Sequence, residues 1–292
     1  MDRPVAVALA RAVARLPHGP SWWYEPKFDG HRLVMFRDAD TVVLQTRSGR
    51  DVTGVWPDLA AAGLRLEPGT VLDGEVVIWR QGRCDFAAVQ SRAASTPARA
   101  RNLAAALPAT YAVWDVLHHP DPELGDVRPR PYVERRRVLL DLLADVPPPI
   151  QVVPATDDYD TAVLWIEALE PQGIEGVVAK PGRSAYRGGD RIWQKVRHTE
   201  VVDVAVIGYT GASARPRNLA VRLPDGRTAL SQRLGAPLAN AAAPALIAAG
   251  PGPRGHTTAG DRYTSTTAEL EVEVASGTTR HAVVTVLRLR IP

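Results

Sequence analysis

The chain has 292 residues with a formal charge of +3, 45% hydrophobic and 23% charged. These are the proportions of a globular protein of one large domain or two ordinary ones, not of a disordered chain. A single cysteine excludes a disulfide framework and a four-cysteine zinc site. No apolar run reaches the roughly 18 residues that mark a membrane-spanning helix. Arg11 and Arg15 interrupt the apolar N-terminal stretch, which argues against a signal peptide, so the expectation is a cytoplasmic protein with no membrane partner.

In chain order, Pro4 to Leu16 reads as a short amphipathic helix with proline at its start. Trp22–Tyr24 and Arg32–Phe36 read as strands flanking Glu25-Pro26-Lys27-Phe28-Asp29-Gly30. Thr41–Thr46 is a strand that runs into the turn Arg47-Ser48-Gly49-Arg50. Val71–Trp79 is a buried strand carrying Asp73-Gly74-Glu75, and Tyr111–Leu117 is another. Tyr132–Val146 has helical spacing and stops at three prolines. A second helix spans Asp157 to Leu169, with Asp157 or Asp158 as N-cap. Ile174–Lys180 and Ile192–Val196 are strands, which completes an α+β pattern of mixed or antiparallel sheets.

Beyond Glu200 the texture changes. Val201–Tyr209, Asn218–Leu223, Thr228–Leu234, Ala268–Val274 and Ala282–Leu289 read as five short strands, with turns at Asp225-Gly226 and Ser276-Gly277. Ala236–Ala248 reads as a helix and Pro251–Gly260 as a flexible loop. Five strands with a helix before the fourth suggest a small Greek-key barrel of the OB type. The expected domains are residues 1–199 and 200–292, with a hinge near His198–Val202. Residues 201–292 hold ten arginines against six acids, a formal +4, while residues 1–200 hold 25 basic against 26 acidic residues. The basic C-terminal part favours phosphate-rich partners.

Only three of the 35 basic residues are lysine: Lys27, Lys180 and Lys195. In so arginine-rich a chain, lysine is expected to persist where a group that can be made neutral is needed. A free lysine is neutral in only about one molecule in two thousand at pH 7, so a nucleophilic Lys27 would need burial or cations beside it, with Arg32 and Lys195 as the candidates. Alone, Lys27-x-Asp29-Gly30 is weak, because Asp-Gly is an ordinary turn. The other lysines also sit among charges in strands, in Glu175-Gly176-Val177-Val178-Ala179-Lys180 and Trp193-Gln194-Lys195-Val196-Arg197. Alternation puts Glu175 and Lys180 on opposite faces unless a bulge intervenes, and puts Trp193, Lys195 and Arg197 on one face. Acids inside apolar strands, as in Asp73-Gly74-Glu75 and Trp114-Asp115, are costly unless paired or bound to a ligand. Several cations and acids in one pocket suit a nucleoside triphosphate and a metal.

Taken in order, Lys27-x-Asp29-Gly30-x-Arg32, Arg47-Ser48-Gly49, Asp73-Gly74-Glu75, Trp114-Asp115, Glu175-Gly176-Val177-Val178-x-Lys180 and Trp193-x-Lys195-x-Arg197 resemble the motif series of the covalent nucleotidyltransferases. Within these the chain is most similar to the small bacterial ATP-dependent DNA ligases related to end-joining. The resemblance implies an adenylation domain followed by an OB-fold domain, and Lys27 as the residue that takes AMP from ATP. It further implies Glu25 at the adenine edge, Trp114 stacked on the adenine, and Arg32 and Arg47 on phosphates. Glu75 would lie at the ribose or a metal, Glu175 at a divalent metal (Mg²⁺ or Mn²⁺), and Lys180, Lys195 and Arg197 around the α-phosphate. Asp29 would assist the later steps. The implied partners are nicked duplex DNA and end-joining or repair proteins, for a monomer at the nucleoid. Two departures stand out. Arg197 replaces a usual lysine, and the closing motif is reduced to Arg288 with no Asp-Lys after it, which is expected to weaken self-adenylation. An RNA ligase, a GTP-dependent capping-type enzyme and a decayed, non-catalytic OB-fold binding protein remain as alternatives.

Overall fold

The computed structural model describes residues 1–197, 199–277 and 284–290. The chain divides into two compact units, Met1–Arg197 and His198–Pro292. No helix among the described residues is long and apolar enough to cross a membrane.

The first unit contains, in order, β1 (Ala10–Ala12), β2 (Trp22–Lys27), β3 (His31–Arg37), β4 (Val42–Thr46), α1 (Pro57–Gly63), β5 (Val71–Val77), the hairpin β6 (Trp79–Arg80) and β7 (Arg83–Cys84), α2 (Phe86–Ala93), α3 (Pro97–Ala106), β8 (Thr110–His118), α4 (Tyr132–Leu142), β9 (Ile150–Val152), α5 (Tyr159–Ala168), β10 (Gly176–Pro181) and β11 (Trp193–Arg197). Two mixed sheets form, ordered β1-β11-β10-β2 and β4-β3-β5-β8-β9. Their facing sides share an apolar layer, in which Val34, Phe36, Val71 and Leu117 of the second sheet meet Trp193 and Val178 of the first. The outer face of the first sheet packs on α5 through Tyr24, Val177, Ala179 and Ala162. The outer face of the second sheet carries the largest core, with Leu33, Met35, Leu44, Leu72 and Val113 against Leu59, Val89 and Leu139 of α1, α2 and α4. Apolar residues at alternate positions therefore fix which face of each strand looks into the space between the sheets.

The expected helix at Pro4 to Leu16 does not form. The segment is extended: Val5 exchanges two 2.8 Å hydrogen bonds with the Gln45 side chain, and β1 pairs in parallel with β11. Val5, Val7 and Ala8 are buried in the layer between the sheets, so tertiary burial of a period-two pattern outweighs the local helical spacing. Helices α1, α2 and α3 were not expected. Pro57 and Pro97 stand in the first turns of α1 and α3, and Asp85 and Thr96 cap α2 and α3 by accepting from Ala88 and Arg99. The second expected helix forms at α5 with Asp158 as its cap.

The second unit contains β12 (Thr199–Ala212), β13 (Arg215–Arg222), β14 (Thr228–Leu230), α6 (Ala236–Ala249), β15 (Arg254–His256), β16 (Arg262–Ser265), β17 (Glu271–Gly277) and β18 (Val284–Arg290). The sheet order is β14-β13-β12-β16-β15, with β17 joining β12 and β18 joining β17. Its core gathers Val206, Leu219, Val221, Val272, Val274 and Val286 beneath Leu246 of α6. No sheet is closed among the described residues. An isolated parallel bridge, Ser231 to Val284, brings the β14 side toward β18 without forming a ladder. The loop expected at Pro251–Gly260 is instead partly a hairpin, β15 pairing with β16, because backbone pairing is available even to this glycine- and proline-rich stretch. The Asp225-Gly226 turn is present, Gly226 having φ +82°. Ser276 and Gly277 belong to β17 instead of forming a turn. Of the expected hinge, His198 lies outside the described residues.

Candidate active site

Strand register assembles the site. Gly176 pairs with Lys27 on one side and Arg197 on the other, and Val178 pairs with Glu25 and Lys195. Lys180 pairs with Trp23, and Ala10 and Ala12 of β1 pair with Trp193 and Lys195. Residues directly opposite one another share a face. Glu25, Lys27, Lys180, Trp193, Lys195 and Arg197 therefore all project from the same side of one sheet, toward the space between the two. All three lysines of the chain are among them.

Glu175 would point away by alternation. It is redirected at Gly176, whose φ is +149° and where a Cβ would come within 2.1 Å of the Val196 carbonyl oxygen. Only glycine fits a backbone both turned and so close to its neighbour. The Glu175 carboxylate then reaches Lys27 and forms a 2.7 Å ion pair with Arg197.

The second sheet supplies the opposite wall. Arg32 on β3 pairs with Glu75 on β5, and Val34 with Asp73. A register shift between Asp73 and Gly74 leaves Trp114 as the extra residue on β8, with its indole N–H donating to Asp73 at 3.0 Å. Asp73, fully buried, accepts two bonds from Arg32, at 3.0 and 2.6 Å, and one from Tyr186 at 2.8 Å. Burial works against the Arg32 charge, but Asp73 more than offsets it and raises the pKa of the guanidinium. Arg32 stacks 5.2 Å from the centre of Trp114, and the Lys180 ammonium lies 4.4 Å from that of Trp193.

A cavity of about 310 Å³ lies in this space, lined by Glu25, Lys27, Arg32, Arg47, Glu75, Trp114, Lys180, Lys195 and Arg197 among others. The structure thus gathers nine of the eleven residues singled out in the sequence. Glu175 stands beside them through Lys27 and Arg197. Asp29 lies in the turn after β2 and does not line the cavity; its carbonyl oxygen accepts from the Cys84 thiol at 3.5 Å. Arg288, the match for the closing motif, belongs to the second unit and donates to Glu273 at 3.0 and 2.7 Å. Arg280, His281, Ala282, Ile291 and Pro292 lie outside the described residues.

The charges divide by depth. Lys180, 1% exposed, pairs with Glu25 at 2.7 Å, and Glu25 also accepts from Tyr132 at 2.6 Å. Burial lowers the Lys180 pKa, and Glu25 opposes that shift. Lys195 is shifted down as well, first by burial and then by Arg197 and Lys27. Burial pushes the Glu75 carboxyl up to about 7, against the pull of Lys27 and Arg32. The motif series did not reveal Tyr132 and Tyr186, which hold Glu25 and Asp73 in place. Nor did it give Arg135, which binds Asp115 at 2.8 and 2.9 Å.

Fixed cations around an aromatic floor make a receptor for a phosphorylated ligand. Comparison with known proteins gives the kind. Residues 5–197 match the ATP dependent DNA ligase domain, and the chain belongs to that family. Among its relatives, DNA ligase C2 of Mycolicibacterium smegmatis is 39% identical over 207 residues, covering 70% of this chain and 57% of the relative. DNA ligase C of Mycobacterium tuberculosis is 38% identical over 211 residues, covering 70% and 58%. The chain thus spans less than two thirds of the length of either. Among solved structures, the ligase domain of M. tuberculosis LigD shares the fold with a TM-score of 0.55 at 23% identity, covering 97% of this chain and 95% of that one. A Lig E DNA ligase does so with 0.64 at 16%, covering 98% and 100%.

Proposed function

We propose that the chain seals nicks in duplex DNA with ATP, through AMP carried on Lys27. The observation that carries this reading is the convergence of all three lysines on one sheet face around one cavity. In the first step the Lys27 amine bonds to the α-phosphorus of ATP. The bond from that phosphorus to the bridging oxygen breaks, pyrophosphate leaves with the electron pair, and the amine gives up a proton. In the second, a 5′-phosphate oxygen at the nick bonds to the AMP phosphorus, and the nitrogen–phosphorus bond breaks with its electron pair going to the Lys27 nitrogen, which takes up a proton. In the third, the 3′-hydroxyl bonds to the 5′-phosphorus, AMP leaves and the hydroxyl proton is released. Such transfers depend on positioning and charge neutralisation more than on covalent help from the protein.

The residues take roles that follow from their places. Lys180, Lys195 and Arg197 share Lys27's face and would surround the α-phosphate, while Arg32 and Arg47 would hold phosphates from the opposite wall. Trp114, steadied by Asp73, offers a ring for the adenine. Glu25, whose carboxylate holds Lys180 and Tyr132, would lie at the adenine edge. Asp29 would act in the later steps.

The donors fit a hard divalent cation. Glu75 and Glu175, the latter held here by Lys27 and Arg197, would supply oxygen ligands; no group of three or more acidic, histidine or cysteine side chains gathers among the described residues. Two carboxylates with substrate phosphates and water completing the shell is a habit of Mg²⁺, and Mn²⁺ takes the same donors. The cation would neutralise phosphate charge. In this reading the first unit is the adenylation domain and the second an OB-type domain. The return of β14 toward β18 through Ser231 supports the latter.

The test is sealing of a nicked, labelled DNA duplex with ATP and a divalent metal, beside GTP and beside a nicked RNA duplex. Joining of DNA with ATP is expected. Joining confined to RNA, or to GTP, would replace this reading.

A further inference from the structure

Behind the wall that carries Trp114, hydrogen bonds converge on Asp73. Its Oδ1 accepts from Arg32 Nε at 3.0 Å. Its Oδ2 accepts from three donors: Arg32 Nη2 at 2.6 Å, the Trp114 indole N–H at 3.0 Å and the Tyr186 hydroxyl at 2.8 Å. Arg32 and Trp114 line the cavity, whereas Asp73 and Tyr186 do not. Tyr186 is 4% exposed. Its hydroxyl meets the site through Asp73 and, at 3.3 Å, through Arg32. Burial and the Asp73 charge push the Tyr186 phenol well above its ordinary pKa, so the hydroxyl stays a donor at neutral pH.

Tyr186 is itself held from behind. It stands in the connection between β10 and β11, where its backbone N–H donates to the Arg128 carbonyl at 2.8 Å. Arg135 forks onto Asp115, the residue after Trp114, and reaches the Ser184 carbonyl at 2.9 Å. Its guanidinium lies 5.8 Å from the centre of the Tyr186 ring. The same connection is thus fastened to two consecutive residues of β8: Trp114 through Asp73, and Asp115 through Arg135.

A stacking residue needs only its ring face, which phenylalanine also offers. The indole N–H of Trp114 adds a tether that phenylalanine lacks. The tether matters at this position because Trp114 is the extra residue at a register shift, where ladder pairing does not dictate the direction of a side chain. We propose that Tyr186 is a positioning residue for the nucleobase: it fixes Asp73, which holds the Trp114 ring in the orientation that receives the base. The choice of the adenine of ATP as that base rests on the nick-sealing reading. A ring oriented beforehand avoids the ordering cost that a free side chain adds to binding.

The test is calorimetric titration of the full chain, at fixed Mg²⁺, with α,β-methylene ATP, which cannot transfer AMP, beside inorganic tripolyphosphate, which has no base. Tyr186→Phe keeps the ring that stands 5.8 Å from Trp193 and removes only the hydroxyl. It should weaken binding of the analogue about fivefold, the scale of one side chain left to be ordered, and leave tripolyphosphate binding unchanged. Trp114→Phe, which keeps a ring without the N–H, should weaken the analogue to a similar degree. Adding Tyr186→Phe to it should bring no further loss, because the two changes break one chain of contacts. Losses that multiply would overturn the proposal, since the hydroxyl would then act by a route other than the indole. So would an unchanged affinity in Tyr186→Phe. An equal loss of tripolyphosphate binding would overturn it too, by assigning the effect to Arg32. Should Tyr186→Phe fail to fold, Trp114→Phe alone decides, and an affinity equal to that of the original chain overturns the proposal. AMP transfer from ATP to the unmodified chain, read by mass in parallel, keeps the two readings apart: its absence with the coupled losses intact removes the ligase reading and leaves the positioning role standing.

Discussion

Both units carry arginine–aspartate pairs at the surface, but among the described residues the sunken arginine forks belong to the first alone. In the first, Arg32, Arg92 and Arg135 are sunk into the protein, each forked onto one carboxylate: Asp73, Asp58 and Asp115. In the second, the paired arginines lie at the surface, as in Arg290 with Asp203 and Arg227 with Asp225, and others have no acidic partner among the described residues. A buried fork holds neighbouring groups in one geometry, whereas a solvated cation is held loosely and can exchange water for a phosphate.

Variants can break this contrast at several depths. Arg135→Met should have the largest effect on folding, because it strands the buried Asp115 carboxylate, and losing one partner of a buried pair costs about 3–5 kcal/mol. Denaturant melts of the full chain would show it as an early loss of structure in the first unit. Glu75→Gln should change the pH dependence of stability in metal-free protein. A carboxyl raised to about 7 costs nothing below its unfolded pKa. The cost grows as pH rises from there, and is complete above about 7, on the order of 2 kcal/mol or less. The glutamine variant should therefore gain on the original chain between pH 4.5 and 7, and melts across that range test the sign. The smallest effect is expected at Arg227→Ala, where one exposed pair, with Asp225, is removed and the thermal midpoint should not move measurably.

Much of the site was legible before the fold. The scarcity of lysine marked Lys27, Lys180 and Lys195, and period-two alternation placed Trp193, Lys195 and Arg197 on one face. Glu175 was not placed, because its direction depends on a positive φ at Gly176 that side-chain alternation does not encode. The tethers were less visible still. Asp73 and Asp115 look like acids awaiting a ligand in the sequence, yet both are largely consumed in holding Arg32 and Arg135, a fact that depends on pairings 41 and 20 residues apart. The N-terminal segment misled because its apolar spacing suits a helix, while the layer between the sheets draws it into an edge strand. Helices α1 to α3 were passed over because their alanine-rich faces carry little contrast, although proline after a capping residue at Thr96-Pro97 announces one of them.

The most direct measurement of the central claim is the intact mass of the purified chain after incubation with ATP and Mg²⁺, beside Lys27→Ala. The expected result is a gain of one AMP on the original chain, labile to acid, and none on the variant. A gain of AMP on both proteins would contradict the assignment of Lys27 as the residue that carries it.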